Sequence, residues 1–558
     1  MSIAGQPKVV AEAFLDVLEA AGIDTLFGLP GSTEAALLES VRARGFRYVL
    51  ALHEGVAVSV ADGYARMTGR VGAVGLHTSV GTLNGLAQMM NALRDRSPLL
   101  VTAGHKDRAV LSDEGFCALP GLLGAARAVT KWSHQSLSAD AVPFDLAHAI
   151  RVATAPPRGP VYLAVPEDIL GSPVEGRLDG ALGIVTAPGM SSVAAADAVA
   201  AAAELLRRAA RPLLVVGSFA RRAEEEVAWL SHLAGLPIAA TEFTDLSDMP
   251  IPTSDPRFVG LYGEDPAVLE GCDLVVGAGC RVFYPFSDAS RPRLPDGAAL
   301  VHIDDDATEI GRVTRAELSL LGDPKLTLGA LASSIEALGG VAPDLLAQRE
   351  ERIAALQRGR AQRLAHERGK EASAGGSMRV ETLADVLVRV LPPDAVVVEE
   401  AVRSARVLFR HLPLRRGQRL LRSSGGALGW GTPASVGAAL GAPHRPVVAV
   451  VGDGSFNFSV QALWTAAQIG VSLVVIVVDN GGYLAVKRAI EHHLSVPMDP
   501  RRHPGTEIEG IDYRQLAASY GAEAVSVSGG AELADALAKA LGSGGVWVVH
   551  VPVEPVRP

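Results

Sequence analysis

Two short stretches hold residue types that could do chemistry together. Gly452-Asp453-Gly454-Ser455 follows the apolar run PVVAVV, and Asn480 closes a second run, VSLVVIVVDN, 27 residues after Asp453. Glycine at a strand end lets backbone approach a diphosphate closely, and a following helix start offers free N–H groups to an anion. The Asp453 carboxylate, the Asn480 amide oxygen, a backbone carbonyl and two diphosphate oxygens would form a hard-oxygen set of the kind Mg²⁺ takes. Taken alone, GDGS reads better as a turn with a helix cap. The Asn-Gly at this distance, after a second buried strand, favours a site.

A third stretch is YVLALHEGVAVSVADGYAR, in which Glu54 follows an apolar strand and opens a helix whose face is Ala, Val and Gly. A carboxylate there is kept dry, which is costly and so marks a functional candidate. The competing reading is a first-turn Glu favoured by the helix dipole. His77, in GLHTSVGT, ends another apolar run and on its own reads as a core histidine.

The elements that must position these residues alternate along the whole chain. RYVLAL, VGAVGLH and SPLLVTAG come early, RPLLVVG, DLVVGAG and ALVHID in the middle, and AVVVEE, RPVVAVVGDG and VSLVVIVVDN late, with helical patterns between them. Val, Ile and Leu runs without period-two alternation suit central parallel strands, so the predicted fold class is α/β, doubly wound, with mainly parallel sheets. Composition shifts at Gly171–Ser192 and before Met378 divide the chain into three such domains, 1–185, 190–345 and 375–558. Ligands in these sheets bind at the carboxyl ends of strands, where all the residues named above fall. The Arg349–Lys370 stretch, with basic residues mixed among Glu, Ala and Leu, reads as a solvated linker helix.

Bulk properties remove other classes. A net charge of −10 over 558 residues argues against a nucleic-acid partner. Three cysteines, Cys117, Cys272 and Cys280, make neither a disulfide framework nor a zinc pair. The N-terminal stretch reads as an amphipathic helix rather than a signal peptide, and no apolar run is long enough for a membrane span. A cytoplasmic protein acting on a small molecule is expected. Gly277 and Gly279 in GAGCRV only weakly echo a dinucleotide fingerprint and read as a strand-end turn, so NAD is not expected.

At this point the chain resembles the thiamine diphosphate enzyme superfamily, whose diphosphate motif is GDG followed at this spacing by asparagine. The family reads Asn-Asn where this chain has Asp479-Asn480. The resemblance implies three domains (pyrimidine-binding, middle and diphosphate-binding) and a Mg²⁺ held by Asp453, Asn480 and the carbonyl of Gly482. It makes Glu54 the carboxylate that promotes the imino form of the cofactor's aminopyrimidine. It also implies that Gly426, Leu428, Gly452, Gly454, Ser455 and Tyr483 line the cofactor, with Leu428 holding it bent. Because Glu54 and Asp453 lie in different domains, the cofactor bridges two of them. In this family it does so between subunits, which implies at least a dimer and usually a tetramer.

Within the superfamily, GLPGSTE, LALHE, GLHTSVGTLN, SPLLVTAG, KWS, GPVYLAVP, GG-x-LGW and QALWTAAQ are similar to the benzoylformate decarboxylases. This implies that Ser32 binds the substrate carboxylate and that His77 relays protons. The implied reaction converts a 2-keto acid to an aldehyde and CO₂, with carboligation as a further outcome. The second active-site histidine is missing from VVGAGCRVFYPF, where Tyr284 stands instead. Phe116 and Cys117 replace a leucine pair, and Ala489 replaces an aromatic wall. An acetolactate synthase-like carboligase, a flavin-dependent 2-keto acid oxidase on the same scaffold and a cofactor-binding protein with little turnover are the alternatives.

Overall fold

A computed structural model describes residues 8–175, 178–186, 189–285, 293–368, 377–495 and 503–555. The chain forms two compact units, one of Met1–Gly189, Val398–Val402 and Gly425–Pro558, the other of Met190–Val397 and Arg403–Ser424. Three six-stranded sheets carry the α/β architecture expected from the apolar runs.

In the first unit, one sheet runs in the order Arg47–Leu50, Thr25–Gly28, Gly72–His77, Leu99–His105, Val161–Pro166, Trp132–Gln135. Every pair is parallel. A second sheet contributes Val447–Gly452, Leu473–Asp479, Val546–Pro552 and Glu523–Ser526 to this unit, also parallel. Its central strands are buried on both faces, which is why they show no alternation in sequence.

The helix Glu54–Thr68 is buried from Glu54 to Arg66, and the helix Gly431–Gly441 packs against it. Small residues set that crossing. A Cβ at Gly63 would fall 2.0 Å from the Ala434 carbonyl oxygen, and one at Gly437 would fall 1.9 Å from the Val60 carbonyl oxygen. Beside the crossing, Trp430 donates its indole N–H to Asp62 at 2.6 Å, and the Arg66 guanidinium lies 4.9 Å from the Trp430 ring. Asp62 is fully buried, and that burial pushes its carboxyl above the ordinary range despite Arg66 nearby.

The second unit has the order Leu318–Leu321, Ala299–Asp304, Leu274–Ala278, Pro212–Val216, Ile238–Ala240, Phe258–Leu261, again all parallel. Gly279 follows the strand Leu274–Ala278 at φ +59°, the strand-end turn expected of it. The helix Pro343–Arg368 forms where the charged stretch lies, but it is not wholly solvated. Arg349 is buried and donates to the carbonyls of Ala234 at 2.6 Å and Leu206 at 2.8 Å, and also to that of Ala209. Those carbonyls end the helices Ala196–Arg208 and Glu224–Ala234, where helical partners run out. A pattern of mixed charge could not reveal that one arginine satisfies two helix ends. Among the described residues, no helix is long and apolar enough to cross a membrane.

Candidate active site

The neighbouring strands Val447–Gly452 and Leu473–Asp479 pair Gly452 with Val478, so Asp453 and Asp479 leave the sheet side by side. The helix Asp453–Ser459 starts at once, and Asp453 turns its carboxylate back to accept from the Gly482 N–H at 2.6 Å. Asp453 is only 2% exposed. Burial, with the charge of Asp479 adding to it against amide bonds from Gly454 and Gly482, pushes Asp453 up to about 6. Burial acts the same way on Asp479, but hydrogen bonds from His550 and Gly481 outweigh it and hold Asp479 below the usual carboxylate range.

Gly482 adopts φ +121°, and a Cβ there would meet the Thr506 carbonyl oxygen at 2.3 Å, so only glycine fits this turn. Its carbonyl accepts from Leu484 N–H at 2.9 Å, which leaves one lone pair free. Tyr483 lies against Gly454, whose added Cβ would stand 2.8 Å from the ring. Two polar atoms in this cluster, Ser455 Oγ and Asn480 Oδ1, are buried with no hydrogen-bond partner among the described residues. Unsatisfied oxygens of this kind, beside a buried carboxylate and the first N–H groups of a helix, suit a divalent cation and a diphosphate.

At the carboxyl edge of the first sheet, Glu54 is the first residue of its helix and accepts from Asn84 Nδ2 at 3.0 Å. It is buried. Gly81 packs against it, since a Cβ there would lie 3.2 Å from Glu54 Oε1. His77 ends its strand, and its Nδ1 lies 3.0 Å from Thr33 Oγ1 and 3.2 Å from Glu34 Oε2. Glu34 also accepts from the Gly31 N–H at 2.7 Å and from the Thr33 hydroxyl at 2.8 Å. Burial nevertheless raises its pKa above the ordinary value. Thr78, directly after His77, holds φ +46°, an uncommon conformation for a β-branched residue, so the chain turns sharply where His77 is presented.

Ser32 is exposed and begins the short turn Ser32–Glu34 beside His77. Leu428 and Gly426 lie in a loop tied to the first sheet's helix Thr78–Arg94. Gln88 Nε2 donates to the Leu428 carbonyl at 2.9 Å and Asn91 Nδ2 to that of Ala427 at 2.9 Å. Gly426 takes φ +87° in that loop. Among the described residues, no hydrogen bond joins Glu54 to the Asp453 cluster.

Tyr284 belongs to the second unit, where its carbonyl accepts from Thr244 at 2.7 Å and the Arg281 guanidinium lies 5.3 Å from its ring. Phe116 and Ala489 are both exposed, and Cys117 holds φ +63° while its carbonyl accepts from Ser79 Oγ at 2.8 Å. Sequence reasoning missed Glu34 and His550. Glu34 was legible in principle, because an acid three residues after Gly31 can cap the turn. His550 had no local signal, since it meets Asp479 only through strand pairing.

Three family models match the chain in order. They are the thiamine pyrophosphate enzyme N-terminal TPP binding domain over residues 8–132, the central domain over 199–331 and the C-terminal TPP binding domain over 401–551. A benzoylformate decarboxylase from Pseudomonas aeruginosa is 34% identical over 99% of this chain and 100% of its own. The chain belongs to the thiamine pyrophosphate enzyme family. Acetolactate synthase isozyme 2 large subunit from Escherichia coli, also similar to this thiamine pyrophosphate enzyme, is 26% identical over 98% of the chain and 95% of its own. The solved structure of a thiamine diphosphate-dependent 4-hydroxybenzoylformate decarboxylase from Rhodococcus jostii superposes with a TM-score of 0.86 at 28% identity, covering 99% of this chain and 100% of its own. The GDG turn, Asn480 and Glu54 of this thiamine pyrophosphate enzyme all fall within its matched TPP binding domains.

Proposed function

We propose that this chain is a Mg²⁺-assisted decarboxylase that uses thiamine diphosphate to convert a 2-keto acid with a hydrophobic or aromatic acyl group to an aldehyde and CO₂. The observation that carries this reading is His77, held at Nδ1 by Thr33 and Glu34 at the carboxyl edge of the sheet. With one ring nitrogen engaged, the other is free to hold or pass a proton. Bound thiamine diphosphate would supply the electron sink that lets CO₂ leave a 2-keto acid.

Asp453, Asn480 Oδ1 and the Gly482 carbonyl would hold Mg²⁺, while Ser455 Oγ and the first amides of the helix Asp453–Ser459 would face the diphosphate. Glu54, dry and oriented by Asn84, keeps a carboxylate ready to hold a proton on the pyrimidine. Ser32 is the exposed hydroxyl beside His77 for the substrate carboxylate. Glu54 and Asp453 would then meet one cofactor from two subunits, so the active form is a cytoplasmic homo-oligomer, at least a dimer.

The similarity to an acetolactate synthase keeps carboligation as a second reading. The deciding experiment measures CO₂ release with Mg²⁺ and thiamine diphosphate over pyruvate, branched 2-keto acids and benzoylformate, with analysis of organic products. CO₂ with the matching aldehyde is the expected result. CO₂ with a 2-hydroxy ketone would move the assignment to a carboligase, and no CO₂ from any of them would overturn the substrate class.

A further inference from the structure

Behind Asp453 stands a second carboxylate with an unusually complete set of supports. Asp479 is the last residue of its strand, and Oδ1 accepts from the Gly481 N–H at 2.9 Å, inside the turn that leads to Gly482. Its Oδ2 receives His550 Nε2 at 2.9 Å from the adjacent strand Val546–Pro552. His550 is fixed in turn, with Nδ1 2.8 Å from Ser526 Oγ and its ring 4.9 Å from that of Tyr513. Tyr513 packs on Phe456 at 5.9 Å, and its hydroxyl lies 3.4 Å from Asn457 Nδ2, which donates to the Asp453 carbonyl at 2.8 Å. The contacts close a loop from Asp479 through His550, Tyr513 and Asn457 back to Asp453.

A neutral amide at position 479 could accept the Gly481 N–H as well. What the carboxylate adds is a negative charge in hydrogen-bond contact with Asp453, a like-charge contact that a bound divalent cation would relieve. Groups behind metal ligands typically change affinity when lost, because they orient the ligands and tune their charge.

We propose that Asp479, oriented by His550, is the outer carboxylate of the divalent-cation site: it aims the Gly481–Gly482 turn and strengthens cation binding without touching the cation. The inference rests on the Mg²⁺ reading above. Asp479 and His550 are positioning residues, because they act through Asn480, Gly482 and Asp453.

The test is Mn²⁺ binding to the full-length protein with saturating thiamine diphosphate, followed by electron paramagnetic resonance of free Mn²⁺. The unfolding temperature of the metal-free protein is measured in parallel. Asp479→Asn, which keeps shape and the Gly481 bond, should weaken Mn²⁺ about 10- to 100-fold with little change in the metal-free unfolding temperature. His550→Phe keeps a ring beside Tyr513 but loses the N–H, and should weaken Mn²⁺ by a similar factor. His550→Gln, able to donate to Asp479, should recover part of it. Variants that bind Mn²⁺ within twofold of wild type would overturn this inference alone. A wild-type protein that binds no Mn²⁺ would overturn the metal reading beneath it as well.

Discussion

Glu34 Oε2 lies 3.2 Å from Nδ1 of His77, and the same carboxylate caps the turn that carries Ser32. One buried acid therefore joins the presentation of a histidine to the shape of the loop facing it. Replacing it by glutamine keeps the turn but removes the charge behind the imidazole. Glu34→Gln should lower kcat for CO₂ release at least tenfold, with thiamine diphosphate affinity near wild type, and should displace the pH–rate profile. An unchanged profile with normal kcat would show that Glu34 serves the turn only.

Glu54 offers a sharper test, since its carboxylate is buried and its hydrogen bond comes from Asn84. Glu54→Gln should still bind cofactor, measured by near-ultraviolet circular dichroism, yet lose about 10²- to 10⁴-fold in kcat. Full activity in that variant would sink the proposed mechanism.

The crossing of Glu54–Thr68 with Gly431–Gly441 has no room for a methyl group at Gly63 or Gly437. Gly63→Ala and Gly437→Ala should each destabilise the protein by about 1–3 kcal/mol, through overpacking against main-chain carbonyls that cannot swing away. Urea unfolding measures this, and wild-type midpoints would disprove the tight contact.

Glu242 follows the strand Ile238–Ala240; its carboxylate accepts a backbone hydrogen bond from Tyr284, while Oε1 is buried with no partner among the described residues. Burial first, then the charge of Asp245, pushes its pKa from the ordinary 4.5 up to about 8. Between those values the folded chain keeps a proton that the unfolded chain releases, so this group makes stability fall as pH rises through that window. Glu242→Gln removes the effect. The stability of the variant relative to wild type should increase from about pH 5 to about pH 9. A difference that stays flat across the range would contradict the raised value.

The sequence by itself determined the fold class and the strand ends at which the candidate residues stand, for a local reason. Buried parallel strands must be continuous apolar runs, so the strand-end positions of GDG, Asn480, Glu54 and His77 could be read from neighbours in the chain alone. Tertiary structure decided the groups that act on those residues from a distance. His550 reaches Asp479 across a strand pairing 71 residues away, and Arg349 caps helix ends more than a hundred residues back. Neither contact leaves a trace in local spacing, because a hydrogen bond between distant segments constrains only where two side chains meet in space. The same limit explains why the charged linker pattern hid a buried arginine, and why Gly63 read only as part of the Ala, Val and Gly face of its helix.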